Sequence, residues 1–126
     1  CYAEAHGFDF VFTDVMSVSG VKESNISLGG NSWYADRNMW AWAFAVKPYL
    51  SSGRYDYVFV MGADSLFESR NLDFPVWALD TGHDLTIMDQ HGTFWGLNEN
   101  AMLFRSSNWS QEFLDEFVEH RKDFNI

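Results

Sequence analysis

The stretch Tyr55-Asp-Tyr-Val-Phe-Val-Met61, which runs directly into Gly62-Ala63-Asp64-Ser65, decides the fold. Its β-branched and aromatic residues and its nearly continuous apolar character predict a strand that is buried on both faces. Such strands are typical of parallel sheets, and ligands of open α/β sheets bind beyond the carboxyl ends of the strands. A ligand is therefore expected near Gly62, Ala63 and Asp64.

Apolar patterns on both sides of this stretch predict the remaining elements. Strands are expected at 8–12, 84–88 and 101–104, and helices at 34–50, at 75–79 and after Ser107 or Ser110. Strands that alternate with helices indicate one α/β domain over residues 1–126, with a mostly parallel sheet and flanking helices. We expect it to be part of a longer protein, because neither end supplies an element that covers the sheet edges.

The charge balance limits the ligands that the chain can bind. Eighteen Asp and Glu against eight Lys and Arg give a formal net charge of −10. Such a surface repels nucleic acids and anionic lipid heads, so both are disfavoured as partners. A diphosphate is repelled as well, unless a divalent cation bridges it to the protein.

The sequence carries little information about the cellular compartment of the protein. The single cysteine, Cys1, permits no internal disulfide, and the longest apolar run, Met39 to Val46, is too short to cross a bilayer. The sequons at Asn25 and Asn108 give a slight indication of the secretory pathway.

Asp64 is the main candidate for chemistry. A carboxylate at a strand end is a hard oxygen ligand, suited to Mg²⁺ or Mn²⁺, which proteins hold with one or two carboxylates and the substrate's phosphates. The alternative is that Asp64 only caps a turn. Asp89 ends the next strand and is either a ligand for sugar hydroxyls or a solvated loop acid. Asn98 can donate to and accept from a hydroxyl, whereas Asn100 is explained by tolerance of positive φ.

Other catalytic patterns have no support in the sequence. No pair among the four histidines has the spacing of a zinc site, and no Ser lies in a Gly-x-Ser-x-Gly elbow. Gly29-Gly30 lacks the spacing and the Lys of a P-loop.

Four segments, in consistent order, resemble glycosyltransferase family 34, the galactosyl/xylosyl/mannosyl-transferases. The segments are Tyr2 to Phe8, Trp42 to Tyr49 with Lys47, Tyr55 to Phe67, and Gly96 to Asp115 with its Gly-Leu-Asn start and its Trp109-Ser110 pair. The last segment is the most specific, and the four are spread over nearly the whole length of the chain, from residue 2 to residue 115.

This resemblance implies a Rossmann-like GT-A fold, a nucleotide-diphosphate sugar donor, a glycan or other hydroxyl acceptor, and manganese dependence with retention of anomeric configuration. Asp64 would match the last Asp of the family's DxD motif and touch the metal, with Gly62 and Ala63 at the first two positions of that motif. Asp89 and Asn98 would face the donor sugar or the acceptor, and Lys47 would lie near the donor. The resemblance also implies a lumenal Golgi location and allows a membrane anchor outside these residues.

Two departures from the family pattern keep other interpretations open. Gly62 stands where the first DxD carboxylate is expected, and Asn100 replaces a glycine. The family's nucleotide-binding first strand and its late metal-binding His lie outside these residues, so activity of this chain alone is in question. The alternatives are a catalytically impaired sugar- or nucleotide-binding pseudoenzyme, another metal-dependent nucleotide enzyme, and an α/β domain without a site.

Overall fold

A computed structural model describes residues 2–13, 37–63, 65–67, 79, 81–89 and 96–120, with only the backbone at 37–41 and 97–99. The elements in chain order are α1 (Tyr2–His6), α2 (Arg37–Leu50), β1 (Tyr57–Met61), β2 (Leu85–Asp89), β3 (Leu97–Arg105) and α3 (Asn108–Glu119). The fold is therefore α/β, as predicted. The first three residues of the helix expected at 34–50 and most of the helix expected at 75–79 lie outside the described residues.

The three described strands form an antiparallel sheet in the order β1-β3-β2. Tyr57 pairs with Arg105 at one end and Met61 with Ala101 at the other, while Leu85 pairs with Phe104. The prediction of a mostly parallel sheet is wrong for these strands. The physical reason is the connection 90–96 between β2 and β3, because a parallel crossover needs about a dozen residues or more.

The core lies between one face of this sheet and helices α2 and α3. Its buried members are Ala43, Val46, Leu50, Met102, Phe104 and Leu114. Phe104 and Leu114 are fully buried, and Val58 and Val60 of β1 pack against the same cluster. Because strand side chains alternate, Tyr57, Phe59 and Met61 point to the opposite face. Phe59 is 36% exposed there, so the prediction that β1 is buried on both faces holds for one face only.

Ser107 begins α3 as its N-cap. Its backbone is extended at φ −139° and ψ 164°, and its hydroxyl accepts a hydrogen bond from the Ser110 amide at 3.2 Å. The buried hydroxyl of Ser110 donates to the carbonyl of Asp84 at 3.2 Å, just before β2. The cap therefore holds the first turn of α3 against the sheet, at the end where β1 and β2 begin.

Residues 8–13 have no regular secondary structure, so the strand predicted at 8–12 is not formed. Phe10 and Phe12 are 69% and 78% exposed. The carboxylate of Asp9 accepts hydrogen bonds from the Tyr55 hydroxyl at 2.8 Å and from Arg54 Nη2 at 3.0 Å. This segment is thus held by a side-chain clamp to the turn before β1, and not by a strand ladder.

The helices of the described residues are too short or too polar to cross a membrane.

Phe104 tests the position of the core. We expect Phe104→Ala to lower the free energy of unfolding by about 3–5 kcal/mol, because it removes a fully buried ring. Phe10→Ala is the matched control, and its exposed ring predicts a change within about 0.5 kcal/mol. Urea denaturation of both variants measures the difference, and equal losses would contradict the described core.

The Asp9 clamp predicts a pH dependence. The hydrogen bond to Asp9 raises the pKa of the Tyr55 hydroxyl above its ordinary value of 10.0. The clamp therefore contributes its full stability below pH 10 and loses it as the pH rises through the raised pKa. In a tyrosine ring titration by NMR, Asp9→Asn should bring the Tyr55 pKa back toward 10.0, whereas Asp56→Asn should leave it unchanged. If the Tyr55 pKa were the same in Asp9→Asn as in the wild type, the hydrogen bond between Tyr55 and Asp9 would be disproved.

Candidate functional site

The carboxyl ends of β1 and β2 lie at the same end of the sheet, on either side of β3, and this end is called the shared edge below. Both strands pair antiparallel with β3, so they run in the same direction and end on the same side. Gly62 continues beyond β1 and donates its backbone amide to the carbonyl of Asn100 at 3.1 Å. Asp89 ends β2 and pairs with Leu97. The sequence-predicted segments Gly62-Ala63 and Asp89 therefore lie on the same edge.

A bulge in β3 shapes this edge. Ile87 pairs with Met102, but the next residue, Met88, pairs with Asn98. The register between β2 and β3 thus skips residues 99–101, while Ala101 remains paired with Met61 of β1. Such bulges bend a strand and are frequent next to active sites. The backbone of Asn98 is consequently held beside β2, at the same edge as Asp89.

The predicted site residues differ in how far the structure describes them. Ala63 and Asp89 are exposed and Gly62 is half-buried. Asn98 is described for its backbone only, and Asp64 lies outside the described residues. The backbones of Gly62, Ala63, Asp89 and Asn98 lie at this end of the sheet, and the roles of these residues and of Asp64 stay predictions.

Lys47 is not gathered at this edge. Its ammonium forms an exposed ion pair with the carboxylate of Asp115 on α3. It lies in the last turns of α2, from which the chain enters β1 at the amino end, whereas Gly62 follows the carboxyl end. A role of Lys47 in donor binding stays a prediction.

A cleft of about 320 Å³ opens beside the edge, on the face of the sheet that α2 and α3 leave open. It is lined by Phe59, Met61, Ser65, Leu66, Phe67, Met88, Asn100 and Ala101. These residues flank the predicted site, because Met61 precedes Gly62 and Met88 precedes Asp89. Within the described residues the lining is apolar apart from Ser65 and Asn100.

Aromatic contacts support one wall of the cleft. Phe67 stacks on Tyr2 of α1 with ring centroids 3.8 Å apart and planes 9° apart. Phe67 also contacts Phe59 at a centroid distance of 6.1 Å. Helix α1 therefore holds the 65–67 segment against the open face of β1. Sequence reasoning missed this wall, although the alternation in β1 already put Phe59 and Met61 on one face.

The residue types predicted for this site are those that bind a hard divalent cation. By residue type alone, Asp64 and Asp89 carry carboxylate oxygens and Asn98 an amide oxygen, and such oxygens are the ligands that Mg²⁺ prefers. Among the described residues, no three His, Cys, Asp or Glu side chains form a group that could hold a metal. A cation at this edge would therefore need the oxygens of a bound phosphate as well.

Comparisons with known proteins found no matching family, no matching curated protein and no matching solved structure.

Proposed function

We propose that this chain is the donor-binding core of a metal-dependent glycosyltransferase. It would move a hexose or pentose from a nucleotide-diphosphate sugar to a hydroxyl of a glycan. The observation that carries the proposal is the shared edge of β1 and β2, where Gly62 leads to Asp64 and Asp89 lies next to the bulge of β3. The order of the family-like segments along the chain adds support.

The GT-A architecture is part of this proposal. The described strands β1, β2 and β3 are antiparallel neighbours, so the parallel part of such a sheet would have to come from other residues. β1 and β2 nevertheless point in the same direction, and ligands of α/β folds bind beyond strand ends of this kind.

The acidic surface gives Asp64 its proposed role. A chain with a net charge of −10 repels a free diphosphate. Asp64, together with the donor's phosphates, would hold Mn²⁺ or Mg²⁺, and the ion would supply neutralisation of the charge on the leaving diphosphate. The Asp89 carboxylate and the Asn98 amide would orient sugar hydroxyls and steady the positive charge that develops on the donor sugar. The acceptor hydroxyl would attack from the face that the diphosphate leaves, which retains the anomeric configuration.

Asp64 is tested by donor binding. We expect the whole protein, with any residues beyond these 126, to bind UDP- or GDP-sugars more tightly with Mn²⁺ than without it. Asp64→Ala should weaken the Mn²⁺-dependent binding by at least about tenfold, equivalent to about 1.4 kcal/mol. Isothermal titration calorimetry with and without Mn²⁺ gives both numbers.

Asp56→Ala is the matched control for this experiment. Asp56 is an exposed carboxylate that precedes the amino end of β1, so it has the same charge at the opposite edge. Its removal should leave donor binding unchanged. Binding that is independent of Mn²⁺, or equal in both variants, would refute the proposed role of Asp64.

A non-catalytic form of the same fold is the second candidate. Gly62 stands where the resembled family has a carboxylate, and its amide is already engaged with the Asn100 carbonyl. A chain with one acid in place of two would bind the donor without efficient transfer.

Restoring the carboxylate distinguishes the two candidates. If Gly62 limits catalysis, Gly62→Asp should raise Mn²⁺-dependent donor hydrolysis at least about tenfold, the effect of about 1.4 kcal/mol on a barrier. Asp56→Ala, which leaves the site intact, should hydrolyse the donor at the wild-type rate and serves as the reference. A wild-type chain that already transfers sugar, with no gain in Gly62→Asp, would exclude the non-catalytic candidate.

A further inference from the structure

The turn that follows β1 is closed by backbone hydrogen bonds. The Ser65 amide donates to the Gly62 carbonyl at 3.0 Å, and the Gly62 amide donates to the Asn100 carbonyl of β3 at 3.1 Å. A bond between residues i and i+3 closes a β-turn, so this turn spans residues 62–65. Asp64, to which the proposed function assigns the cation, is the third residue of that stretch. The described residues on both sides of Asp64 therefore limit where a ligand at this position can be placed.

The side chains in and just after this turn are mostly exposed. Ala63 and Ser65 are exposed, Leu66 is 80% exposed, and Phe67 is half-buried. Exposed loop segments open locally at a low cost in free energy unless packing ties them down. A binding constellation, in contrast, must be held within about 0.5 Å of its productive geometry. The precision of a ligand in this turn therefore depends on what holds Phe67.

Phe67 is held by Tyr2 of α1. The two rings stack with centroids 3.8 Å apart and planes 9° apart, and Tyr2 is only 8% exposed. The contact of Phe67 with Phe59 is looser, because those centroids are 6.1 Å apart and the planes are inclined by 43°. Aromatic pairs stabilise a structure beyond the area that they bury. Of these two contacts, the stack on Tyr2 is therefore the stronger anchor for the segment after the turn.

Helix α1 is itself fixed at its other end. Gly7, at φ +71°, follows the last helical residue, and the Phe8 amide donates to the Ala3 carbonyl at 2.9 Å. This is the 6→1 bond of a Schellman motif, which ends a helix in one defined geometry. The next residue, Asp9, accepts a hydrogen bond from the Tyr55 hydroxyl at 2.8 Å. Helix α1 thus links the turn before β1 to the segment after β1.

We infer that Tyr2 is a positioning residue for the cation ligand, acting through its stack on Phe67. The inference rests on the proposed function, which places that ligand at Asp64. Tyr2 contacts neither the donor nor the cation in this arrangement, and it acts by setting the position of the 62–65 turn. Loss of the stack releases the segment after the turn, so cation-dependent binding weakens while the sheet keeps its structure.

Hydrogen exchange tests whether Tyr2 holds the turn. In the whole protein without ligands, Tyr2→Ala should raise the exchange rate of the Ser65 amide about two- to tenfold, the effect of one aromatic pair. The Arg105 amide, which donates to the Asp84 carbonyl at the opposite end of the sheet, should exchange at the wild-type rate. Tyr2→Phe keeps the ring and should match the wild type. Phe12→Ala, which removes a ring that is 78% exposed, is the matched control and should have no effect.

Nucleotide binding tests the consequence for the site. Calorimetry with UDP or GDP and Mn²⁺ should show binding about two- to tenfold weaker in Tyr2→Ala and unchanged in Tyr2→Phe. Phe67→Ala should weaken binding as well. Adding Tyr2→Ala to Phe67→Ala should then cost little more, because both changes remove the same contact. If Tyr2→Ala does not fold, Phe67→Ala carries the test, since its ring is only half-buried.

Four outcomes would overturn the inference. These are unchanged exchange at Ser65 in Tyr2→Ala, unchanged nucleotide binding in Tyr2→Ala, equal losses in Tyr2→Ala and Tyr2→Phe, and an equal rise in exchange at Arg105, which would show general destabilisation. If Asp64→Ala loses Mn²⁺-dependent binding and Tyr2→Ala keeps it, the proposed function stands and the role of Tyr2 fails. A wild-type protein without Mn²⁺-dependent binding refutes the proposed function, and with it the role of Tyr2 at a cation site, whatever the exchange at Ser65.

Discussion

The pairing of β3 with both of its neighbours is the constraint on which the other described features depend. The 90–96 connection is too short for a parallel crossover, so β3 must return antiparallel to β2. It also pairs antiparallel with β1, which makes β1 and β2 run in the same direction. Its buried side chains, Met102 and Phe104, then fill the space under α2 and α3. One strand therefore determines both the core and the edge at which two strands end.

The bulge in β3 lies at the same end of the sheet as the candidate site. The register between β2 and β3 skips residues 99–101 close to the shared edge. The Asn100 carbonyl accepts the Gly62 amide on the β1 side, and Asn98 lies beside Met88 on the β2 side. The cleft opens beside this bulge. The chemistry we propose needs a cation site at the ends of β1 and β2, and Gly62 and Asp89 lie at this end of the sheet.

The sequence predicted the elements better than their arrangement. The apolar run through β1 and the Ser107 cap located a strand and a helix, because both signals are local. The direction of the strands depends on the 90–96 connection, which the apolar patterns do not report. The stretch 8–12 has a strand-like pattern but is clamped through Asp9 to a turn, because a strand also needs a neighbour to pair with. The edge was predictable from strand ends, whereas the cleft was not, since packing of Phe67 on Tyr2 joins segments far apart in the chain.

Paramagnetic broadening by Mn²⁺ tests most directly whether the shared edge is a cation-dependent nucleotide site. In the presence of UDP or GDP, the account predicts selective broadening of the backbone amide signals of Gly62, Ala63 and Asp89. The amides of Tyr57 and Arg105, at the opposite edge of the same sheet, should stay sharp. Broadening that is uniform over the sheet, or strongest at Tyr57 and Arg105, would contradict the account.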